Sequence, residues 1–98
     1  MQTCKNLNDV RQEIDKIDAE LISLIAKREC YVQQAANFKK TTADVKAPDR
    51  VEQVISKVKA RAKEVGANET VVEATYRAMI SAFIDIEIIN YQRINSSK

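Results

Sequence analysis

Apolar residues recur in steps of four and three along the first part of the chain, from about Leu7 to Lys40. This is the spacing of a helix that buries one stripe of its surface. No glycine or proline interrupts the segment, and Asn6 or Asn8 is suited to cap its start. The pattern predicts a long N-terminal helix whose seam is formed by Val10, Ile14, Ile17, Leu21, Leu24, Arg28, Tyr31, Ala35 and Phe38.

A second, shorter helix is predicted after a polar connection at residues 41–47. Pro48 fits its first turn, where a backbone N–H would have no helical partner in any case. Gly66 fits its end, because glycine readily adopts the left-handed conformation that closes many helices. The face expected to be buried carries Val51, Val54, Ile55, Val58, Ala62 and Val65.

A third helix is predicted to open at Asn68 or Thr70 and to continue to about Ile94. Thr70 and Glu73 have the spacing of a capping box, in which each side chain accepts from the other residue's backbone N–H. The stripe expected to face the core is Val72, Tyr76, Met79, Ile80, Phe83, Ile84, Glu87, Tyr91 and Ile94.

Composition favours an all-α fold, with residues 1–98 as a single domain. The chain has one glycine and one proline, and hydrophobic residues make up 45% of it. So few breakers leave room for two or so special loops, which is typical of a few long helices rather than a sheet.

The length of the first predicted helix indicates a second copy of the chain. A helix over residues 7–40 is roughly 50 Å long, whereas a compact domain of this size has a radius of gyration of about 13 Å. Its apolar seam continues to the far end, and the other two helices are too short to cover it. We therefore predict an obligate homodimer in which the partner's copy of the same helix covers the seam.

Charge and cysteine content exclude several classes of protein. The net charge is +2, from 16 basic and 14 acidic residues, without the clustered excess of nucleic-acid binding proteins. No apolar stretch is long enough to span a membrane, and Met1–Asp9 lacks the apolar core of a signal peptide, which predicts a cytoplasmic protein. Cys4 and Cys30 have no metal-binding spacing, and histidine is absent, which favours unpaired thiols over a disulfide or a zinc site.

Two charged residues interrupt the apolar stripes. Arg28 lies in the seam between Leu24 and Tyr31, and Glu87 lies on the stripe of the third helix. Burial of a charge is unfavourable unless a partner compensates it. Arg28 could extend its head to solvent and Glu87 could form a structural ion pair with it; alternatively, both line a polar ligand cavity inside the bundle.

Three further cations are candidates for the same cavity. If the first helix continues through Lys39, that residue lies about 20° from the face of Arg28 and roughly 16 Å further along the axis. Arg11 points about 100° away from Arg28, so it can reach such a site only from an antiparallel partner. Arg50 is unfavourably placed at the start of the second helix. Each is otherwise an ordinary surface charge.

These five residues together resemble the site of the all-helical (type II) chorismate mutases and the related isochorismate pyruvate lyases. Val10–Asp18 is similar to the family's opening helix, and Ala26-Lys27-Arg28 and Phe38-Lys39 follow at the family's intervals. The resemblance covers nearly the whole chain. It implies three helices per chain and an intertwined homodimer with two identical sites.

The resemblance also implies roles for particular residues. Arg28 and the partner's Arg11 would clamp the two substrate carboxylates, and Arg50 would complete the basic wall. Lys39 would contact the ether oxygen, with Glu87 opposite it. The apolar walls around the substrate ring would include Val32, Val51, Ile80 and Phe83.

The chemistry of the candidate residues agrees with this expectation. They include no histidine and no nucleophile–base pair, so a covalent or metal-assisted mechanism lacks its parts, and we expect no cofactor. A pericyclic reaction needs the substrate held in a reactive conformer and donors where charge develops. Arginine forks suit carboxylates, and a lysine suits a point of growing charge.

Two departures from the family pattern bear on the reaction. The family more often has glutamine where Glu87 stands, and a carboxylate would repel the ether oxygen, so we expect Glu87 to act in its protonated form. Many of the mutases have glutamate where Val51 stands, and the run Ala47–Val51 looks more like the lyase branch. Glu87 fits that branch less well, because the lyase pattern also has glutamine there, so the two clues point in opposite directions. Chorismate mutase is the leading expectation, isochorismate pyruvate lyase the alternative, and a non-catalytic helical interaction module the third.

Overall fold

A computed structural model describes residues 3–96, and all the regular secondary structure in this range is helical. The helices are α1 (Leu7–Ala36), α2 (Thr42–Lys46), α3 (Pro48–Val65) and α4 (Glu69–Ser96). The predicted all-α class is therefore confirmed. The three predicted helices correspond to α1, α3 and α4, and α2 is an additional single turn between the first two. The chain divides into two compact units after Phe38.

The first unit contains α1, which begins where the pattern predicts. The side chain of Asn6 accepts a hydrogen bond of 2.9 Å from the backbone N–H of Asp9, so Asn6 rather than Asn8 is the cap. No residue of α1 is buried. The apolar residues of its seam are exposed, from Val10 at 39% to Tyr31 at 66%, whereas Arg28 is half-buried.

The prediction that the first helix continues to Lys40 is wrong, because α1 ends at Ala36. Its last turn tightens as Phe38 N–H donates to Ala35 O at 3.0 Å, a common way of closing a helix. Thr41 then adopts an extended conformation, with φ −134° and ψ 163°. Lys39 lies beyond the helix, so the helical angle that placed it on the face of Arg28 does not apply.

The predicted connection at residues 41–47 folds into a short helix instead of a plain loop. The Thr41 hydroxyl accepts from the backbone N–H of Asp44 at 3.1 Å, and the Asp44 carboxylate accepts from the N–H of Thr41 at 3.2 Å. This reciprocal capping box starts α2. Val45, which a polar connection would expose, is only 4% exposed.

Two residues with left-handed backbone conformation mark the α2–α3 junction and the end of α3. Ala47 closes α2 with φ 36°, and Pro48 then occupies the first position of α3. Gly66 ends α3 with φ 75°, as predicted. Its glycine identity matters here, because a side chain at this φ would be strained.

The core of the second unit lies where α3 and α2 pack against α4. Ile55 and Ala62 of α3 are buried, as is Ile80 of α4. Most of the remaining predicted stripe residues are half-buried, whereas Val65 and Ile94 at the helix ends are exposed.

α4 opens at Asn68, whose side chain accepts from the N–H of Val71 at 3.0 Å. The proposed capping box of Thr70 and Glu73 is therefore wrong. Thr70 lies inside the first turn, and the Glu73 carboxylate binds Arg77 instead. α4 also continues past Ile94 to Ser96, and residues 97–98 lie outside the described part of the chain.

Candidate active site

Lys39 and Glu87 form an ion pair inside the second unit. The Lys39 Nζ atom lies 2.9 Å from the Glu87 Oε2 atom. The side chains are 23% and 12% exposed, respectively, so both groups have lost most of their solvent. Each charge compensates the other, as a charge that is removed from water requires. The pair also leaves Nζ with two further N–H donors.

Apolar side chains surround Glu87 on its own helix. Ile80, Phe83 and Glu87 follow one another at helical spacing on the inner face of α4, with Ile80 buried and Phe83 half-buried. Val51 of α3 is half-buried as well. The three predicted wall residues of this unit are therefore at least partly enclosed. Their contact with a substrate stays a prediction.

Tyr91 holds the backbone next to Lys39. The sequence pattern identified Tyr91 only as part of an apolar stripe. The hydroxyl of Tyr91 donates to the carbonyl oxygen of Lys40 at 2.8 Å. Tyr91 lies one helical turn beyond Glu87, so consecutive turns of α4 hold the Lys39 side chain and the adjoining backbone.

Asp44 adds a second anchor to the same segment. Its carboxylate accepts the backbone N–H of Lys40 at 3.0 Å and that of Thr41 at 3.2 Å. The hydrogen bond from the Lys40 N–H contributes most to holding the pKa of Asp44 below its ordinary value, and the bonds from Thr41 assist. The spacing of Thr41 and Asp44, which is typical of a capping box, was the sequence signal that could have identified Asp44.

Arg50 is exposed in the first turn of α3. Its guanidinium makes a long hydrogen bond of 3.4 Å to the side chain of Gln53. This is compatible with an ordinary solvated residue and with a cation that a ligand recruits. Its assignment to the basic wall stays a prediction.

The remaining predicted site residues lie on α1, in the first unit. Arg28 and Val32 are half-buried and one turn apart, whereas Arg11 is exposed. The intact helix between Arg11 and Arg28 keeps them on different faces, as the spacing predicts. Their roles in a shared site are likewise still predictions.

A second set of charges joins α3 to α4 and differs from the Lys39–Glu87 pair. Arg77 of α4 donates to both carboxylate oxygens of Glu52 at 2.9 Å and to Glu73 at 2.8 Å. Lys59 lies 3.2 Å from Glu73. We call these four residues the Arg77 network. Arg77 holds the pKa of Glu52 and Glu73 below their ordinary values, with Lys59 assisting at Glu73.

The fold and the Lys39–Glu87 pair define a class: a small helical protein with a half-buried cation paired to a carboxylate on an apolar helix face. Within the described residues, no helix is both long and apolar enough to cross a membrane. The family's sequence model, described as chorismate mutase type II, matches residues 10–88. The chain therefore belongs to the chorismate mutase type II family, a family of enzymes, and the resemblance seen in the sequence is confirmed.

The chain is also similar to a curated protein that is named for one particular reaction. The chain is 33% identical to an isochorismate pyruvate lyase from Pseudomonas aeruginosa over 92 residues, which are 94% of this chain and 90% of the relative. The similarity therefore extends from α1 through α4 rather than being confined to one helix.

Proposed function

We propose that the protein is a pericyclic enzyme for a chorismate-type dicarboxylate, and that its main reaction converts isochorismate to salicylate and pyruvate. The observation that carries the choice of reaction is the identity of 33% to an isochorismate pyruvate lyase over 94% of the chain. Val51, where a mutase more often has glutamate, supports the same choice.

The proposed reaction breaks the bond between a ring carbon and the ether oxygen of the enolpyruvyl group. A ring hydrogen moves to the methylene carbon of that group, which becomes the methyl group of pyruvate, and the ring becomes aromatic. No atom enters from solvent. The enzyme has to hold the side chain over the ring and stabilise the negative charge that grows on the ether oxygen.

Lys39 is the donor that we assign to the ether oxygen. One N–H of its ammonium group is directed at Glu87, 2.9 Å away, and the others can turn toward a ligand. Its low exposure makes each such contact stronger than it would be in water. In the free protein Glu87 pairs with Lys39 as a carboxylate, and we propose that it takes up a proton as the substrate binds and then donates a second hydrogen bond to the same oxygen.

The arginines are assigned to the two carboxylates of the substrate. We propose that Arg28 and Arg50 bind them together with Arg11 of the partner subunit, because guanidinium forks match carboxylates in a bidentate way. Val32, Val51, Ile80 and Phe83 would exclude water from the ring. These assignments rest on the family resemblance.

The contribution of Arg11 requires the intertwined homodimer, which we also propose. Its support is the exposed seam of α1, where Ile17 and Leu24 are each 61% exposed. A stripe of this kind is rarely left in contact with water. A second copy of α1 in antiparallel orientation would cover it and bring Arg11 to the other site.

Chorismate mutase is the second candidate, favoured by the family model that matches residues 10–88. The same residues would serve it, because that rearrangement also breaks the ether bond. It differs in forming a carbon–carbon bond within one product, prephenate. The two candidates therefore share the substrate-binding machinery and differ in how the enolpyruvyl group lies over the ring.

Incubation of the purified protein with isochorismate and, separately, with chorismate distinguishes the two reactions. We expect salicylate and pyruvate in equal amounts from isochorismate, and prephenate as the slower product or none from chorismate. Prephenate as the faster product would favour the mutase. If neither substrate is converted and neither raises the melting temperature, the enzymatic proposal is wrong and the non-catalytic helical module takes its place.

A further inference from the structure

The short segment from Lys39 to Val45 is tied to α4 at three points. Glu87 binds the Lys39 side chain at 2.9 Å, and Tyr91 donates to the Lys40 carbonyl at 2.8 Å. Val45 is buried at 4% exposure in α2, which packs against α4. All three anchors lie within the second unit.

The anchors act on different parts of the segment. An ion pair alone would let a long lysine side chain follow its carboxylate while the backbone moved, because its four-carbon stem has many rotamers. Tyr91 fixes the backbone directly after Lys39, and Asp44 accepts the N–H of the same residue, Lys40, at 3.0 Å. The peptide groups on both sides of Lys40 are thus held, and the stem of Lys39 starts from a fixed point.

We propose that Tyr91 is a positioning residue for Lys39, acting through the carbonyl of Lys40, and that Asp44 supports it from the other side of that residue. The proposal deepens the proposed function and depends on it only for the catalytic consequence. The geometric part concerns where Lys39 is held, and it can be tested without a substrate.

Tyr91→Phe removes the hydroxyl and leaves the ring on its face of α4. A single hydrogen bond contributes about a fivefold change in a local equilibrium, so the Lys39 segment should open about five times as often. Acetylation with acetic anhydride, followed by peptide mass mapping, reports how often the Lys39 amine is free. We expect the Lys39 rate to rise about fivefold relative to the exposed Lys57.

Activity provides the second readout. With isochorismate, Tyr91→Phe should lower kcat by up to about fivefold and change KM by a smaller factor, because a donor that is less well positioned affects the transition state more than binding. Thr75→Val, which removes an exposed hydroxyl of α4 that donates to the carbonyl oxygen of Val71 at 2.8 Å, is the matched control. It should leave the Lys39 rate unchanged.

An unchanged acetylation rate of Lys39 in Tyr91→Phe would overturn the proposal, even if the variant is less stable. If the variant does not fold, Asp44→Asn provides the same measurement, with a smaller rise expected and no rise contradicting it. If the parent converts neither substrate, the proposed function fails, and the acetylation result still decides whether Tyr91 holds Lys39.

Discussion

Two groups of charges hold elements of the second unit together, and they differ in what they leave unused. The Arg77 network lies at the surface, where the side chain of Arg77 is 43% exposed and that of Glu52 is 63% exposed. The Arg77 guanidinium donates to two carboxylates, those of Glu52 and Glu73. The Lys39–Glu87 pair is more enclosed, yet the ammonium has only one carboxylate partner in the described contacts. The first arrangement suits structure, and the second retains donors for a ligand.

The difference teaches how to distinguish a functional charge from a structural one when both are paired. Distance does not separate them, because the ion pairs are 2.9 Å long for Lys39–Glu87 and 2.9 Å for Arg77–Glu52. Burial and spare hydrogen-bonding capacity do separate them. A half-buried cation with unused donors is costly to maintain unless something binds it.

The largest expected effect is the loss of activity in Lys39→Ala. Removal of one donor to a developing oxyanion typically lowers kcat by about 10²–10³-fold, and we expect a loss of this order with isochorismate. Steady-state kinetics on the folded variant checks it. Lys57→Ala, which removes an exposed lysine of α3, is the control, and a comparable loss there would mean that Lys39 acts only through overall charge.

Glu87→Gln tests whether the proposed reaction requires a neutral hydrogen-bond donor at this position. The amide can donate to the ether oxygen and carries no charge that repels it, so we expect kcat with isochorismate to equal or exceed that of the parent. Steady-state kinetics on the folded variant checks it, and a loss of kcat as large as that of Lys39→Ala would show that the reaction needs the carboxylate.

Arg77→Ala should affect stability more than activity, the reverse of Lys39→Ala. It removes the contacts that connect Glu52 of α3 with Glu73 of α4, and we expect a small decrease in melting temperature, since exposed ion pairs contribute little. Activity should remain within about twofold of the parent, because rate follows contacts made to the transition state. A loss of kcat as large as that of Lys39→Ala would remove the distinction between the two groups.

The smallest expected effect concerns how the stability of the protein changes in acid. Arg77 lowers the pKa of Glu52 below its ordinary value of 4.5, so the stabilisation is present above that value. It is lost as pH falls through the lower native pKa. Urea denaturation at pH 7 and near pH 3 should therefore show a smaller pH dependence for Glu52→Gln than for the parent, and an equal dependence would contradict the assigned ionisation.

The helices that special residues delimit were predictable from the sequence. Pro48 and Gly66 bound α3 as expected, because proline and glycine have backbone preferences that little else can override. The end of α1 was not predictable from periodicity, since the apolar seam continues to Phe38 while the helix stops at Ala36. The local capping box at Thr41 requires an extended residue there, and apolar spacing carries no information about that.

Two residues of the candidate site were predictable from the sequence, but their supports were not. Glu87 was identified because a charge at an apolar position needs a partner. Lys39 was identified from its spacing to Arg28 and from the family resemblance, and the structure places it in contact with Glu87. Tyr91 looked like one more stripe residue, since apolar spacing registers its ring and not its hydroxyl. Asp44 lay in a segment interpreted as a polar connection, where a carboxylate needs no explanation.

The fate of the migrating hydrogen tests the pericyclic claim most directly. Isochorismate deuterated at the ring carbon that loses hydrogen should yield pyruvate carrying the label in its methyl group when the reaction is run in ordinary water. The proposed site transfers this atom within the substrate. Unlabelled pyruvate would mean that a base removes the hydrogen and exchanges it with solvent, and the pericyclic mechanism would be contradicted.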